Sequence, residues 1–512
     1  MTDQAQQNPA GGSGGEVQPY RIRVSRKYLN ITRQKLELTR LPHEPRSMDW
    51  WEPKPQVESL VDFWQEQYSW PDHEDELNES LQQFRTSFQT STPSTPVRIH
   101  FIHTRSPHAN AVPLLLIPPF PLTNLSLGHL VQPLSDPEDA GATQPFHVVI
   151  PALPGLGFSD SLPTSAPPIS ATAQILDDLM TRLGYPHYIA SNAGSASASP
   201  AGIDWRLAKH LSHHFAESCL GFHFIAPPLS SPKLQDSAGE WMKWTVARLL
   251  NSPVLGYSKD DISVTRKQKP SQLARKKSAI NLGQAGHSNF EPNTPSYALC
   301  DSPTGLLLYV LRILRTLGPK RELTPEDIIT LTQLMWLPGP EAALRYWAQC
   351  ASQLEPVEAK KPTRKPKVAI TVFTGDEEQA EQQITLPRLT KNTYACPSWG
   401  NAGYQVVHSV RASGTPGFLV LDRPEVILDG VRGLAAAILV MDKRMRAAEQ
   451  PGAALQSQLE TQAGRIAQAD LSGTTVQDPS VTPTGTSPHP AAKKLMEDEN
   501  QHLVPPPVSR LS

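Results

Sequence analysis

A chain of 512 residues with a formal net charge of −2 can bury one large core with an added layer, or two ordinary domains; it has no overall field that draws it to nucleic acid or an anionic membrane. Proline, at 51 residues, is roughly twice as frequent as the usual share of about 5%, which predicts long loops and tails. Cys219, Cys300, Cys350 and Cys396 lie far apart, match no metal-site or disulfide-framework spacing, and read as reduced, buried thiols of a cytoplasmic protein. The polar, glycine-rich start lacks the features of a secretory signal, and the longest apolar runs, 112–117 among them, are too short to span a bilayer. No cofactor or metal is called for, and nothing sets an oligomeric state.

In chain order, residues 1–17 read as a disordered start. Tyr20-Arg-Ile-Arg-Val24 alternates like a strand, and a polar helix ends at 38–42. Val57, Leu60, Val61 and Trp64 share one face of a helix that continues to Tyr68 and Trp70, so 18–95 forms an N-terminal segment that docks on something larger. Strand signals follow at 97–103, 113–117 and 147–150, then a helix at 172–183 and a short strand at 187–190. This alternation predicts a parallel sheet over 96–228. Between 229 and 366 the strands give way to helices at 239–250, 305–317 and 324–334, which reads as a cap inserted in the sheet. Strands return at 367–373 and 404–410, and a last helix covers 424–441, completing the core by 443. From 444 to 512 Gln, Ser, Thr and Pro dominate, a disordered tail. The basic run Arg266, Lys267, Lys269, Arg275, Lys276 and Lys277 lacks interleaved aromatics and reads as a solvated loop, not a nucleic-acid surface.

Several stretches carry a family resemblance: Leu36-Glu-Leu-Thr-Arg-Leu-Pro42, residues 57–70, Phe84-Arg-Thr, Ile99-His-Phe-Ile-His103, Val148-Val-Ile-Pro-Ala-Leu-Pro-Gly-Leu-Gly-Phe-Ser-Asp160, Tyr297-Ala-Leu-Cys-Asp-Ser-Pro-Thr-Gly-Leu306 and residues 332–347. Together, over roughly residues 18 to 440, they resemble the epoxide hydrolases that carry an N-terminal segment, the branch of microsomal enzymes and their soluble fungal and bacterial relatives. The resemblance implies an α/β fold, the α/β-hydrolase fold with an inserted helical cap and a wrapping N-terminal segment. It also implies a small apolar partner, an epoxide, opened by an aspartate nucleophile. A histidine-acid pair then activates water against the ester, and two cap tyrosines hold the epoxide oxygen.

The residues at those positions differ. Ungapped alignment of Tyr188-Ile-Ala-Ser-Asn-Ala-Gly-Ser-Ala196 sets Gly194 where the nucleophile belongs, and Gly417 stands where the resemblance implies the histidine. Two substitutes offer themselves for the nucleophile. Asp204, in Gly202-Ile-Asp-Trp205, is either a first-turn acid of the helix that it heads or, if the turn folds back, a carboxyl that reaches the site. Ser195, in Ala193-Gly-Ser-Ala-Ser197, has the spacing of a serine elbow but needs a histidine to take its proton. His408 reads as a structural strand residue. Asp376, with Glu377 second, matches the relay acid or caps a turn. In the oxyanion loop Pro118 and Pro119 lack N–H donors, while Phe120 keeps one. Tyr346 lies one residue from an expected cap tyrosine and reads equally as a buried structural one. Loss of both nucleophile and base predicts impaired catalysis; a working hydrolase with relocated residues is the alternative.

Overall fold

The computed structural model describes residues 15–41, 54–90, 96–267, 291–318, 322–353, 364–375 and 394–447. Its centre is a nine-stranded sheet in the order β1-β2-β3-β5-β4-β6-β7-β8-β9. The strands are β1 (Gln18–Pro19), β2 (Gln83–Phe88), β3 (Val97–Thr104), β4 (Val112–Ile117), β5 (Phe146–Pro151), β6 (Tyr188–Asn192), β7 (Cys219–Ile225), β8 (Lys367–Phe373) and β9 (Gln405–Ala412). From β5 across to β9 every neighbour is parallel, whereas β1, β2 and β3 run antiparallel to the strands beside them. Val-Pro-Leu-Leu-Leu-Ile of β4 is buried at every position, as are β6 and β7. Helices cover both faces there, so the strands read as continuous apolar runs with little alternation.

The helices are α1 (Arg26–Glu37), α2 (Lys54–Glu66), α3 (Trp70–Ser80), α4 (Val131–Ser135), α5 (Pro168–Arg182) and α6 (Ile203–His214). Between β7 and β8 lie α7 (Ala238–Leu250), α8 (Lys259–Lys267), α9 (Asn293–Asp301), α10 (Pro303–Leu317), α11 (Pro325–Trp336) and α12 (Glu341–Ser352). The chain ends its described part with α13 (Leu419–Asp422), α14 (Pro424–Met441) and α15 (Lys443–Ala447). The helix α11 shows why these segments start where they do. Thr324 Oγ1 accepts the Asp327 N–H at 3.1 Å and Asp327 Oδ2 accepts the Thr324 N–H at 3.0 Å, a reciprocal cap with Pro325 at the first helical position.

Four local expectations change. Tyr20 to Val24 is not a strand: the N–H groups of Ile22 and Val24 donate to Asn78 Oδ1 and Glu74 Oε2, each at 2.8 Å, so side chains of α3 replace a partner strand. The helix through Trp64 stops at Glu66, and a new one starts at Trp70 with Pro71 in its first turn. Chain order is kept further at both ends than expected. Val17 is 5% exposed, and Arg444 bonds Asp442 and Glu217 from α15. Cys219, Cys350 and Cys396 are buried free thiols, but Cys300 is exposed on α9. The basic run beyond Lys267 and the tail beyond Ala447 lie outside the described residues. Among the described residues no single helix is long and apolar enough to cross a membrane.

The inserted helices are tied to the sheet by one polar centre. Asp261 of α8 is fully buried, and its two carboxylate oxygens take Arg411 Nε at 2.9 Å and Nη2 at 2.7 Å from β9. Tyr394 donates its hydroxyl to the same carboxylate, and the Ser258 N–H adds a bond of 2.7 Å. Burial alone would raise the Asp261 carboxyl; the Arg411 fork, the Ser258 N–H and the Tyr394 hydroxyl outweigh it and hold it below its ordinary value.

Candidate active site

The end of β6 decides what this site can do. Asn192, its last residue, is followed by Ala193, whose N–H donates to Ile117 O at the end of β4, and by Gly194, whose N–H donates to Asn192 Oδ1 at 2.7 Å. A Cβ built on Gly194 would stand 2.3 Å from Pro119 Cβ and 3.1 Å from its Cγ. Real carbon atoms do not approach so closely, so the proline loop after β4 has closed over the spot from which a side chain would project.

The loop between β6 and α6 folds back. Ala201 and Gly202 are consecutive left-handed residues, at φ 50° and φ 64°, and they turn the chain into α6. Ser199 Oγ accepts the Asp204 N–H at 3.1 Å. Asp204 thereby sits in the first turn of α6 and is 1% exposed. Its Oδ1 accepts the Phe120 N–H at 3.0 Å. Asp204 is a first-turn acid of α6 whose carboxyl contacts the loop after β4. Burial pushes this carboxyl up to about 7, against the lowering pull of the Phe120 N–H, Ser199 and Asn192. The Asn192 Nδ2 amide, buried beside it, makes no well-aligned hydrogen bond among the described residues, yet it helps to lower the Asp204 carboxyl. This amide was missed in the sequence; a polar residue closing an otherwise apolar strand was the available signal.

The other candidates are placed as follows. Ser195 Oγ pairs with Ser197 Oγ at 3.2 Å, and among the described residues no histidine is bonded to it. Tyr346 of α12 is buried, its ring 6.0 Å from that of Phe120, and its hydroxyl is 3.0 Å from Thr172 Oγ1. Gly417 is left-handed at φ 66° and leads into α13, where Val420 O bonds His129 Nε2 at 2.7 Å. Asp376 and Glu377 lie outside the described residues; before them, the Gly375 N–H donates to Gly414 O. The motif loop of Pro154 to Gly157 packs on α12: a Cβ on Gly155 would meet Ala342 O at 3.1 Å, and φ there is 79°.

Among the described residues no hydrogen bond joins Asp204 to a histidine. His223 of β7 spans Ser191 Oγ at 3.0 Å and Thr371 Oγ1 at 2.9 Å, and burial pushes it down to about 3, so it is neutral. A Cβ on Gly430 of α14 would meet its ring. Its neighbour Phe224 faces the other side of the sheet and touches Trp205 of α6. His223 is therefore on the face away from Asp204. His408 packs the same way, against Gly433 of α14, in line with a structural role.

Residues 17–127 match the family described as "Epoxide hydrolase N terminus". A provisionally named epoxide hydrolase of Stigmatella aurantiaca (strain DW4/3-1) is 27% identical over 382 residues, covering 72% of this chain and 77% of that protein. Epoxide hydrolase 1 of Sus scrofa is 23% identical over 353 residues, covering 65% and 72%. The crystal structure of juvenile hormone epoxide hydrolase from the silkworm Bombyx mori matches with a TM-score of 0.63 at 18% identity, over 84% of this chain and 96% of that one. The last likeness establishes the fold, which the strand order and the inserted helices share. The chain thus has an N-terminal segment of the epoxide hydrolase type, is similar to epoxide hydrolases over most of its length, and has the α/β-hydrolase fold.

Proposed function

We propose that this chain is a catalytically impaired epoxide hydrolase relative, with the fold kept and turnover lost. The observation that carries the reading is the wedge of Pro119 against Gly194, which leaves no room for a nucleophile at the strand end. Gly417 adds the loss of a base, and the Phe120 N–H, the donor an oxyanion would need, is already bound to Asp204. Asp204, Phe120 and Tyr346 are all buried. Small epoxides remain the ligand class that the relatives' names support. The test is diol formation from styrene oxide. Wild type is expected to give no more product than Asp204→Asn; multiple turnovers that vanish in that variant would overturn the reading.

The Asp204–Phe120 bond favours a second reading. A carboxylate with one oxygen on a backbone N–H can attack an epoxide carbon with the other. The new C–O ester bond forms as the epoxide C–O bond breaks, and the freed oxygen takes a proton from water. Among the described residues no histidine is bonded there to activate a second water, so the ester persists and the reaction halts after one event. The expected sign is a mass gain of one epoxide per chain, located at Asp204 and absent from Asp204→Asn. An unmodified chain after prolonged exposure rules this second reading out.

A further inference from the structure

A second site lies away from the strand ends. A cavity of about 440 Å³ opens between α1, the α2–α3 junction and α11, a size in the range of small-molecule pockets. Its floor and walls carry Trp64, Tyr68 and Trp70, and its rim carries Arg26, Asn30 and Arg33 at successive positions of one face of α1. Neither arginine has an ion-pair or hydrogen-bond partner among the described residues, and Glu66 is the lone acid of the lining.

The decisive residue is Gln333 of α11. It is 2% exposed, lines this cavity, and its Oε1 is buried without any hydrogen-bond partner. A buried amide oxygen left unpaired costs about 1–3 kcal/mol, so a native chain keeps one where a ligand completes it. The surroundings give no strain that explains it: Thr32 beside it already takes the Trp336 Nε1–H at 2.8 Å, which fixes α11 on α1.

We propose that this cavity binds a small aromatic carboxylate that carries an N–H or O–H donor. The ring packs on Trp64 and Tyr68, the donor reaches Gln333 Oε1, and the carboxylate meets Arg26 and Arg33. The site is separate from the β6 end and does not depend on whether Asp204 reacts.

Indole-3-acetate has all three features and serves as the probe, with binding to the full chain followed by calorimetry. Saturable one-to-one binding is expected, weakened about tenfold by Arg33→Glu and by Arg26→Glu, and weakened also by added salt. These are exposed residues, so folding is retained in both variants. Gln333→Met is expected to weaken binding while raising the thermal midpoint, because it removes the unpaired oxygen; a merely structural glutamine would lower it. Asp204→Asn leaves the affinity unchanged. Absence of saturable binding, affinity unmoved by the arginine and glutamine substitutions, or binding that disappears with Asp204→Asn would each overturn the proposal.

Discussion

Pro119 occupies the space into which a side chain on Gly194 would have to grow: the two β-carbons would be 2.3 Å apart. The consequence is mechanical before it is chemical. Gly194→Ala is expected to destabilise the chain by about 1–3 kcal/mol, as overpacking of a filled interior does. Combining it with Pro119→Gly should recover much of that loss. Urea midpoints of the single and double variants check this, and an unchanged midpoint for Gly194→Ala would remove the wedge from the argument.

The Asp204 carboxyl links stability to pH. Its folded value of about 7 stands above the ordinary 3.8, so the folded chain holds a proton that the unfolded chain releases. Stability from this group is therefore full below the ordinary value and is lost as pH rises towards about 7. The loss is on the order of 4 kcal/mol. Asp204→Asn cannot ionise, and its stability profile should lack this loss over the same window. Parallel pH profiles of the two proteins would refute the buried, raised carboxyl.

Asn192 is expected to matter through its oxygen. Asn192→Ala leaves the Gly194 N–H buried without an acceptor, at a cost of about 1–3 kcal/mol. Hydrogen exchange at the Gly194 amide, faster in the variant than elsewhere in β6, is the local readout. Equal protection in both proteins would mean that the bond contributes nothing.

Removing Arg411 isolates the buried Asp261 carboxylate. Arg411→Met is expected to cost about 3–5 kcal/mol at neutral pH. Because the Asp261 carboxyl is held low, its share of stability is present above the ordinary carboxylate value and is lost as pH falls through the folded one. Wild type should therefore lose more stability on acidification than the variant. A double substitution, Asp261→Leu with Arg411→Met, should be milder than the single one, since no charge is stranded.

The sheet was legible because its interior strands are almost wholly apolar. The expected span 367–373 is the observed β8 and 424–441 the observed α14. The strand β2 was less visible: Gln83-Phe-Arg-Thr-Ser-Phe88 has three polar residues in a row, and the alternation from Phe84 onward is one of burial, with Thr86 buried between half-buried Arg85 and Ser87. What could not be read was the reach of Asp204. That depends on Ala201, an alanine in a left-handed conformation that periodicity does not reveal. Gly194 and Gly417 were visible in the sequence, whereas the approach of Pro119 to Gly194 needed coordinates. Gln333 looked like any polar residue in an apolar helix; only the lack of a partner singles it out.

The two-residue strand β1 has a bearing on self-association. Gln18 and Pro19 cover part of the outer edge of β2, and the Tyr20 N–H adds a bond to Gln83 O. Beyond them the proline and the departing chain offer no long ladder for another molecule to extend. Trimming the chain past Tyr20 would remove the buried Val17 and bare the backbone of β2, and the shortened protein would be prone to edge-to-edge aggregation.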